Sequence, residues 1–156
     1  MIIREAKKQD YEDLCSLIEQ VDGLHRDNLP HIFQKTDGSA RQREYILGLI
    51  GADNVCVFVA EESDQLLGFV NLFVRSSTDI PILVPRCFAL VENLVVDEHY
   101  RWRGIGRALM EHAQNWAVEQ GATSIELTVY EFNRVARTFY ERLGYETESR
   151  RMSRKL

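Results

Sequence analysis

The sequence predicts an α/β (α+β) fold in which a mixed central β-sheet is flanked by helices. Three apolar segments rich in β-branched and aromatic residues follow one another in mid-chain, at residues 55–61, 66–74 and 88–96, as expected for consecutive strands. Apolar residues then recur at helical spacing on either side of a further strand-like segment. Strands in series, followed by strand–helix–strand units, indicate the order β-α-α-β-β-β-α-β-α-β.

The first half of the chain begins with a strand-like segment, Met1 to Ala6. Asp10 resembles a helix N-cap. The helix that it begins has apolar residues at the spacing i, i+3, i+4, i+7, namely Leu14, Leu17, Ile18 and Val21. We expect this helix to end at Asp22-Gly23. A second helix is expected from Ala40 to Ile50, ended by Gly51.

The second half alternates strands and helices. The segment 88–96 is almost wholly apolar, as expected for a strand buried on both faces. Apolar spacing then predicts a helix that starts at about Ile105 and is ended by Gly121. A strand follows from Ser124 to Tyr130, then a short helix capped by Asn133, and Tyr145 to Leu156 is predicted to form a final strand and tail.

Length and composition limit the class of protein. The 156 residues suit a single domain, which we expect to span residues 1–156. No apolar run approaches the ~20 residues that cross a bilayer, and the N-terminus lacks the apolar stretch of a signal peptide. Cys15, Cys56 and Cys87 form no C-x-x-C pair, so no metal site is predicted. These features predict a cytoplasmic protein with reduced thiols and no membrane partner.

The net charge of −5 is unevenly distributed. Residues 1–100 contain nine Lys or Arg and 17 Asp or Glu, whereas residues 101–156 contain ten Lys or Arg and seven Asp or Glu. A basic part could hold an anionic ligand and an acidic part could attract a cationic one, although random surface variation gives the same imbalance. The acidic composition and the lack of a known reader motif argue against a nucleic-acid partner.

A short basic loop joins the apolar strand to the next helix and reads Arg101-Trp102-Arg103-Gly104-Ile105-Gly106-Arg107. A helix N-terminus presents unpaired N–H groups and partial positive charge, which suit phosphate. Gly104 and Gly106 allow the backbone to approach an anion closely, and three arginines there would oppose the helix dipole unless an anion were bound. Leu109 replaces the third glycine of a dinucleotide fingerprint, and no P-loop sequence is present. The structural alternative is a strand–helix turn with incidental glycines.

These residues resemble a known family. Arg101-x-x-Gly104-x-Gly106 is similar to the R/Q-x-x-G-x-G/A signature of the GNAT N-acetyltransferases. Leu94-Val95-Val96-Asp97 resembles the strand before that signature, and Asn133-x-x-Ala136-x-x-Phe139-Tyr140-x-x-x-Gly144-Tyr145 resembles the family's second cofactor segment. The resemblance covers residues 88–145 in detail and the whole chain in element order, and it is loose over residues 22–53. It implies a GNAT-like domain and an acetyl-CoA-dependent N-acetyltransferase.

The resemblance also implies how acetyl-CoA binds. Backbone amides of residues 102–107 would bind its pyrophosphate. The strand edge at 94–96 would pair with its pantetheine arm, in a slot left where strands four and five splay apart. Asn133 would contact the arm from the other side. The predicted cofactor-binding residues are therefore Leu94, Val95, Val96, Arg101, Trp102, Arg103, Gly104, Ile105, Gly106, Arg107 and Asn133.

Acetyl transfer to an amine requires a base, because an alkylamine with a pKa near ~10 is mostly protonated at neutral pH. Glu92 lies about 13 Å before Val96 along the strand and could take the proton directly or through water. A Glu exposed at the slot mouth, or one paired with an Arg, is the structural alternative. The resemblance supports the base role and implies that Tyr140 is the general acid, although Tyr140 also suits core packing. We expect direct transfer without an acyl-enzyme.

The acceptor is open between a small-molecule amine and a peptide amine. His25, with Pro30 and Phe33, lies where members of the family often build the acceptor site, and Glu126 is a reserve candidate for the base. A catalytically silent acyl-CoA-binding module is the alternative function, against which the presence of both Glu92 and Tyr140 argues. A homodimer is common among the proteins that the chain resembles.

Overall fold

The computed structural model describes residues 1–36, 43–77 and 80–156. It confirms the predicted fold class, because helices flank a mixed sheet. The α-helices and strands of the described residues are, in chain order, β1 (Ile2–Glu5), α1 (Tyr11–Asn28), α2 (Arg43–Leu49), β2 (Val55–Glu62), β3 (Gln65–Ser76), β4 (Cys87–Val96), α3 (Ile105–Glu119), β5 (Ser124–Leu127) and α4 (Arg134–Arg142). Short 3-10 helices, Lys8–Asp10 and Glu98–Tyr100, precede α1 and the basic loop.

The strands lie side by side in the order β1-β2-β3-β4-β5. The first three pairings are antiparallel, and β4 pairs with β5 in parallel. The β2–β3 hairpin turns at Ser63 and Asp64, which have φ of 50° and 61°. A parallel pair needs a crossover connection, and α3 provides it between β4 and β5. This arrangement brings the basic loop to the end of β4.

Helices cover both faces of the sheet. On one face, here called the α3 face, α3 buries Leu109 and Met110 against Val70, Leu72 and Val91. On the other, the α1 face, α1 and α2 bury Leu14 and Ile46 against Val57 and Phe69. Successive residues of a strand point to opposite faces of the sheet. Because β2, β3 and β4 contain runs of consecutive apolar residues, both faces of the sheet are apolar. Burying a Leu of this kind stabilises the fold by roughly 2–5 kcal/mol relative to Ala.

Asp10 precedes α1 as predicted, but its side chain does not cap that helix. Its carboxylate accepts hydrogen bonds from Arg4 at 2.7 and 2.9 Å and from the Lys7 N–H at 2.6 Å. Arg4 also pairs with Glu61 on β2. The hydrogen bonds from Arg4 hold the pKa of Asp10 below its usual value despite burial. This network fastens the start of α1 to the edge of the sheet.

Three predicted boundaries differ from the structure. The first helix does not end at Asp22-Gly23 but continues to Asn28, because one Gly costs only about 1 kcal/mol in a helix that packs on a sheet. β5 ends at Leu127 rather than Tyr130. The predicted final strand is wrong, since Tyr145 to Leu156, all described, form neither strand nor helix. The predicted second helix is present as α2, and its expected start at Ala40 lies outside the described residues.

No helix in the part of the chain that the structure describes is long and apolar enough to cross a membrane.

Candidate active site

A gap opens between β4 and β5 at the carboxyl end of both strands. Their pairing runs from Phe88↔Ser124 to Val91↔Leu127 and stops there. β4 continues to Val96, paired with β3 only. Among the described residues, no strand pairs with the β5 side of residues 92–96. This edge, which includes Leu94, Val95 and Val96, therefore offers backbone hydrogen-bonding groups to an extended ligand.

The basic loop, residues 101–107, turns from β4 into α3 at the end of this gap. Gly104 is the N-cap of α3, with φ of 81° in the left-handed region. The first amide with an acceptor in the helix is that of Ala108, which donates to the Gly104 carbonyl at 3.0 Å. Ile105, Gly106 and Arg107 therefore present amides without helical acceptors.

Trp102 has an uncommon backbone conformation in this loop. Its φ is 68°, which disfavours a bulky side chain, and its side chain is 85% exposed. Left-handed residues at 102 and 104 are backbone conformations that occur in the turns from which anion-binding concavities are built.

The three arginines of the loop are exposed. The Arg101 Nε donates to the Val96 carbonyl at 3.3 Å, and the Arg103 guanidinium lies 5.1 Å from the centre of the Tyr100 ring. Within the described residues, no carboxylate forms a salt bridge with Arg101, Arg103 or Arg107. Their positive charge is thus available to an anion bound at the loop.

Glu92 is the extra residue of a β-bulge in β4. Asn71 of β3 lies opposite Asn93, and the next residue of β3, Leu72, lies opposite Val91, so Glu92 has no partner in the register. Before the bulge Val91 packs on the α3 face, and after it Val95 packs on the α1 face. The bulge reverses the alternation of the strand, so Glu92 and Asn93 both line the α1 face.

The Glu92 carboxylate is exposed but has defined partners. The Asn71 Nδ2 donates to its Oε2 at 2.8 Å, and the Tyr45 hydroxyl lies 3.3 and 3.4 Å from its two oxygens. These residues line a pocket between the sheet and α1 and α2, whose other walls include Leu14 and Ile46. The pocket has room for about one water molecule.

Tyr140 lies on α4 and packs on the α3 face, between the rings of Phe139 and Tyr145 at centroid distances of 5.2 and 5.6 Å. Burial, with a smaller contribution from Tyr145, raises the pKa of Tyr140 well above its usual value. The phenol is therefore protonated throughout the physiological range. Glu92 and Tyr140 thus lie on opposite faces of the sheet.

Asn133 is the N-cap of α4, as predicted. Its side-chain oxygen accepts a hydrogen bond from the Ala136 N–H at 3.1 Å. The cap uses one acceptor and leaves the side-chain NH2 to serve as a donor elsewhere. Its predicted contact with the cofactor is compatible with this arrangement and stays a prediction.

The other predicted candidates have structural partners. Glu126 pairs with Arg86. His25 stacks on Phe33 at 5.0 Å and makes edge contacts with Tyr130 and Phe132, so α1 is joined to the segment after β5. Burial raises the pKa of the Cys56 thiol to about 12, which makes it a poor nucleophile. No metal-binding cluster is present in the described residues.

Asn71 and Tyr45 were not among the residues predicted from the sequence. Asn71 is the one polar side chain between residues 66 and 74 and could have been noticed for that reason, because Asn is disfavoured in strand interiors. Tyr45 carries no such signal, because its place among the apolar residues of the predicted helix gives no hint of a carboxylate partner.

A model of the acetyltransferase (GNAT) family matches residues 18–145 of the chain. An uncharacterized N-acetyltransferase of Bacillus subtilis is 29% identical over 149 residues, which are 96% of this chain and 92% of that protein. The crystal structure of a mutant Bacillus halodurans protein has a TM-score of 0.95 at 29% identity, covering 100% of this chain and 99% of that one. An aminoglycoside N-acetyltransferase solved in complex with CoA shares the fold, with a TM-score of 0.73 at 19% identity over 99% of this chain and 98% of that one.

Proposed function

The chain belongs to the acetyltransferase (GNAT) family and is an N-acetyltransferase, and we propose that it moves an acetyl group directly from acetyl-CoA to an amine, without an acyl-enzyme. The observation that carries this proposal is the open edge of β4. It has the basic loop and the N-terminus of α3 at one end and the Glu92 carboxylate about four residues away.

The residues present fit acetyl-CoA. The amides of residues 102–107 would hold the pyrophosphate together with the three arginines of the loop, which form no salt bridge among the described residues. The backbone of Leu94, Val95 and Val96 would hydrogen-bond the amides of the pantetheine arm as an added strand does, with Asn133 on the other side of the gap. When bound, acetyl-CoA supplies a thioester carbonyl for attack and a thiolate leaving group. The CoA complex of the aminoglycoside N-acetyltransferase of the same fold is consistent with this choice.

Glu92 is proposed to take a proton from the acceptor. An alkylammonium cannot attack a carbonyl until it loses a proton, and a nearby exposed carboxylate attracts the cation and accepts that proton. The pocket beside Glu92 has room for about one water, so the transfer can also run through water. Holding amine and thioester together provides further rate acceleration, since the bimolecular step becomes local.

Tyr140 is proposed to stabilise the leaving thiolate. Its raised pKa keeps the phenol protonated but makes it a weak proton donor to a thiolate, because the corresponding thiol has a pKa near ~8.5. Its role is therefore a hydrogen bond to the developing charge rather than complete proton transfer. Any proton that the leaving thiolate takes up would come from water rather than from Tyr140.

The acceptor is proposed to be a cationic amine, either a small molecule or a peptide N-terminus. The excess of acidic residues over positions 1–100 would attract such a cation. An aminoglycoside is one candidate, since a protein of the same fold acts on that class.

Turnover of an amine panel tests this function. The panel contains an aminoglycoside, a polyamine, a peptide with a free N-terminus and a free amino acid, and the readouts are thiol release and the mass of the product. Acetylation of at least one amine, without acetylated enzyme in the intact mass, is the expected result. Binding of acetyl-CoA with no turnover of any amine would favour an acyl-CoA-binding module instead.

A further inference from the structure

We propose that Asn71 is a positioning residue that holds the Glu92 carboxylate in place for proton removal from the acceptor. The inference rests on the proposed function, because it concerns how Glu92 performs its role. Asn71 lies on β3, 21 residues before Glu92 in the sequence, and the sheet brings the two side chains together.

Asn71 is buried in the middle of the sheet, with 2% of its surface exposed. Both ends of its amide are used: Nδ2 donates to the Glu92 Oε2 at 2.8 Å, and Oδ1 accepts from the Asn93 Nδ2 at 2.8 Å. Turning the amide over would place its oxygen against a carboxylate oxygen and its NH2 against a donor. The Glu92 carboxylate, which only accepts, therefore fixes the orientation of the Asn71 amide, and the Asn71 oxygen is left to accept from Asn93.

The bulge makes this arrangement possible. In a regular strand Glu92 and Asn93 would point to opposite faces, and one amide could not contact both. Because the bulge places both on the α1 face, the Asn71 amide accepts from Asn93 and donates to Glu92 at the same time. A chain of hydrogen bonds of this kind polarises each member in the same direction, which strengthens the bond to the charged end.

Tyr45 supports the same carboxylate from α2. Its hydroxyl lies at long hydrogen-bond distances from both carboxylate oxygens, 3.3 and 3.4 Å. Asn71 is thus the short contact on the sheet side and Tyr45 the long contact on the helix side. An exposed Glu without such partners samples many rotamers, whereas this one is held at a single place while its surface stays open to an acceptor.

The packing of the sheet does not require an amide at position 71. Its neighbours in β3 are Val70 and Leu72, both with 0% exposure, and a buried amide is costly unless both of its ends are bonded. A Leu of similar size would fill the same space. The presence of a fully bonded Asn at this position points to the carboxylate that it contacts.

The test is a double-mutant cycle between Asn71→Leu and Glu92→Gln, measured with the amine from the panel that turns over best. Asn71→Leu should lower kcat about 10- to 100-fold, as a small displacement of a catalytic group does. Its KM for acetyl-CoA, and the acetyl-CoA-dependent rise in unfolding midpoint, should be unchanged. In the Glu92→Gln background the same substitution should lower kcat no further, because no carboxylate is left to hold.

Equal losses of kcat in both backgrounds, or full kcat in Asn71→Leu, would overturn the inference. If Asn71→Leu does not fold, Asn71→Ser replaces it in the cycle. The wild type, the two single variants and the double variant are also compared by unfolding midpoint, a measurement that needs no turnover. Additive midpoint shifts would show that Asn71 and Glu92 do not interact and would overturn the inference. A wild-type protein that binds acetyl-CoA but acetylates nothing would instead count against the proposed function, and the midpoints would still decide whether Asn71 and Glu92 are coupled.

Discussion

Gly106 in the first turn of α3 lies directly against Phe139 of α4. A Cβ at position 106 would be 3.3 Å from the Phe139 Cζ and 3.6 Å from a methyl carbon of Val96. Gly106 was predicted to free space for an anion, but the structure shows that it also lets α3 and α4 pack. The two sequence segments that resemble cofactor-binding motifs are therefore in contact through this glycine.

Gly106→Val should destabilise the fold by about 1–3 kcal/mol, because the added atoms overpack this contact. The substitution should also weaken acetyl-CoA binding by displacing the first amides of α3. Urea unfolding and calorimetry with acetyl-CoA measure the two effects. Gly48→Ala is the matched control, since a Cβ there meets nothing within 4 Å and α2 should gain up to about 1 kcal/mol. Full stability and affinity in Gly106→Val would contradict this account.

Glu92→Gln should lower kcat at neutral pH by about 10²- to 10⁴-fold, because the base is lost while the size of the side chain is kept. The defect should shrink as the pH approaches the pKa of the amine, near ~10, since the amine then loses its proton unaided. Thiol release across a pH series measures both. Glu126→Gln is the control, because Arg86 binds that carboxylate and its loss should leave kcat unchanged. A Glu92→Gln variant as active as wild type would eliminate Glu92 as the base.

Tyr140→Phe should lower kcat by about 10- to 100-fold, the cost of one hydrogen bond to a developing charge. Since burial raises the pKa of Tyr140, the wild-type kcat should show no loss from its ionisation up to about pH 10. Steady-state kinetics of both proteins between neutral pH and pH 10 test these statements. Retention of full kcat in Tyr140→Phe, with unfolding unaltered, would assign the residue to packing alone.

Asp10→Asn should lower the free energy of unfolding at pH 7 by about 1–3 kcal/mol, because the variant loses a charged partner of Arg4. The hydrogen bonds from Arg4 hold the pKa of Asp10 below its usual value. The stabilisation is therefore complete above the unfolded pKa, near ~3.9, and is lost as the pH falls through the lower folded pKa. Urea unfolding between pH 7 and pH 2 should show the two proteins converging in acid. A constant difference across that range would contradict the linkage.

The basic loop and the second motif could be predicted from the sequence because their function depends on local geometry. A glycine at the start of a helix, arginines beside it and an Asn three residues before Ala136 are readable within a few positions. The structure places Gly104 as the N-cap of α3 and Asn133 as the N-cap of α4. The element order up to α4 was predictable for the same reason, since each element shows its own apolar period.

The bulge at Glu92 could not be predicted, because it depends on the register between two strands. Periodicity places Glu92 on the face opposite Val91, but only the pairing of Asn71 with Asn93 shows that Asn93 lies on the same face as Glu92. The prediction of a strand after Tyr145 was wrong for a related reason. A strand needs a neighbouring edge, and a local pattern does not show whether one is present.

The measurement that tests the central claim most directly is the unfolding midpoint of the protein with acetyl-CoA, beside free CoA and NAD. A ligand that binds only the folded state raises the midpoint by mass action. We predict a rise of roughly 5–10 °C at about 100 times Kd, no rise with NAD, and a much smaller rise in Gly104→Val, where φ of 81° disfavours a side chain. No rise of the wild-type midpoint at saturating acetyl-CoA would contradict the account.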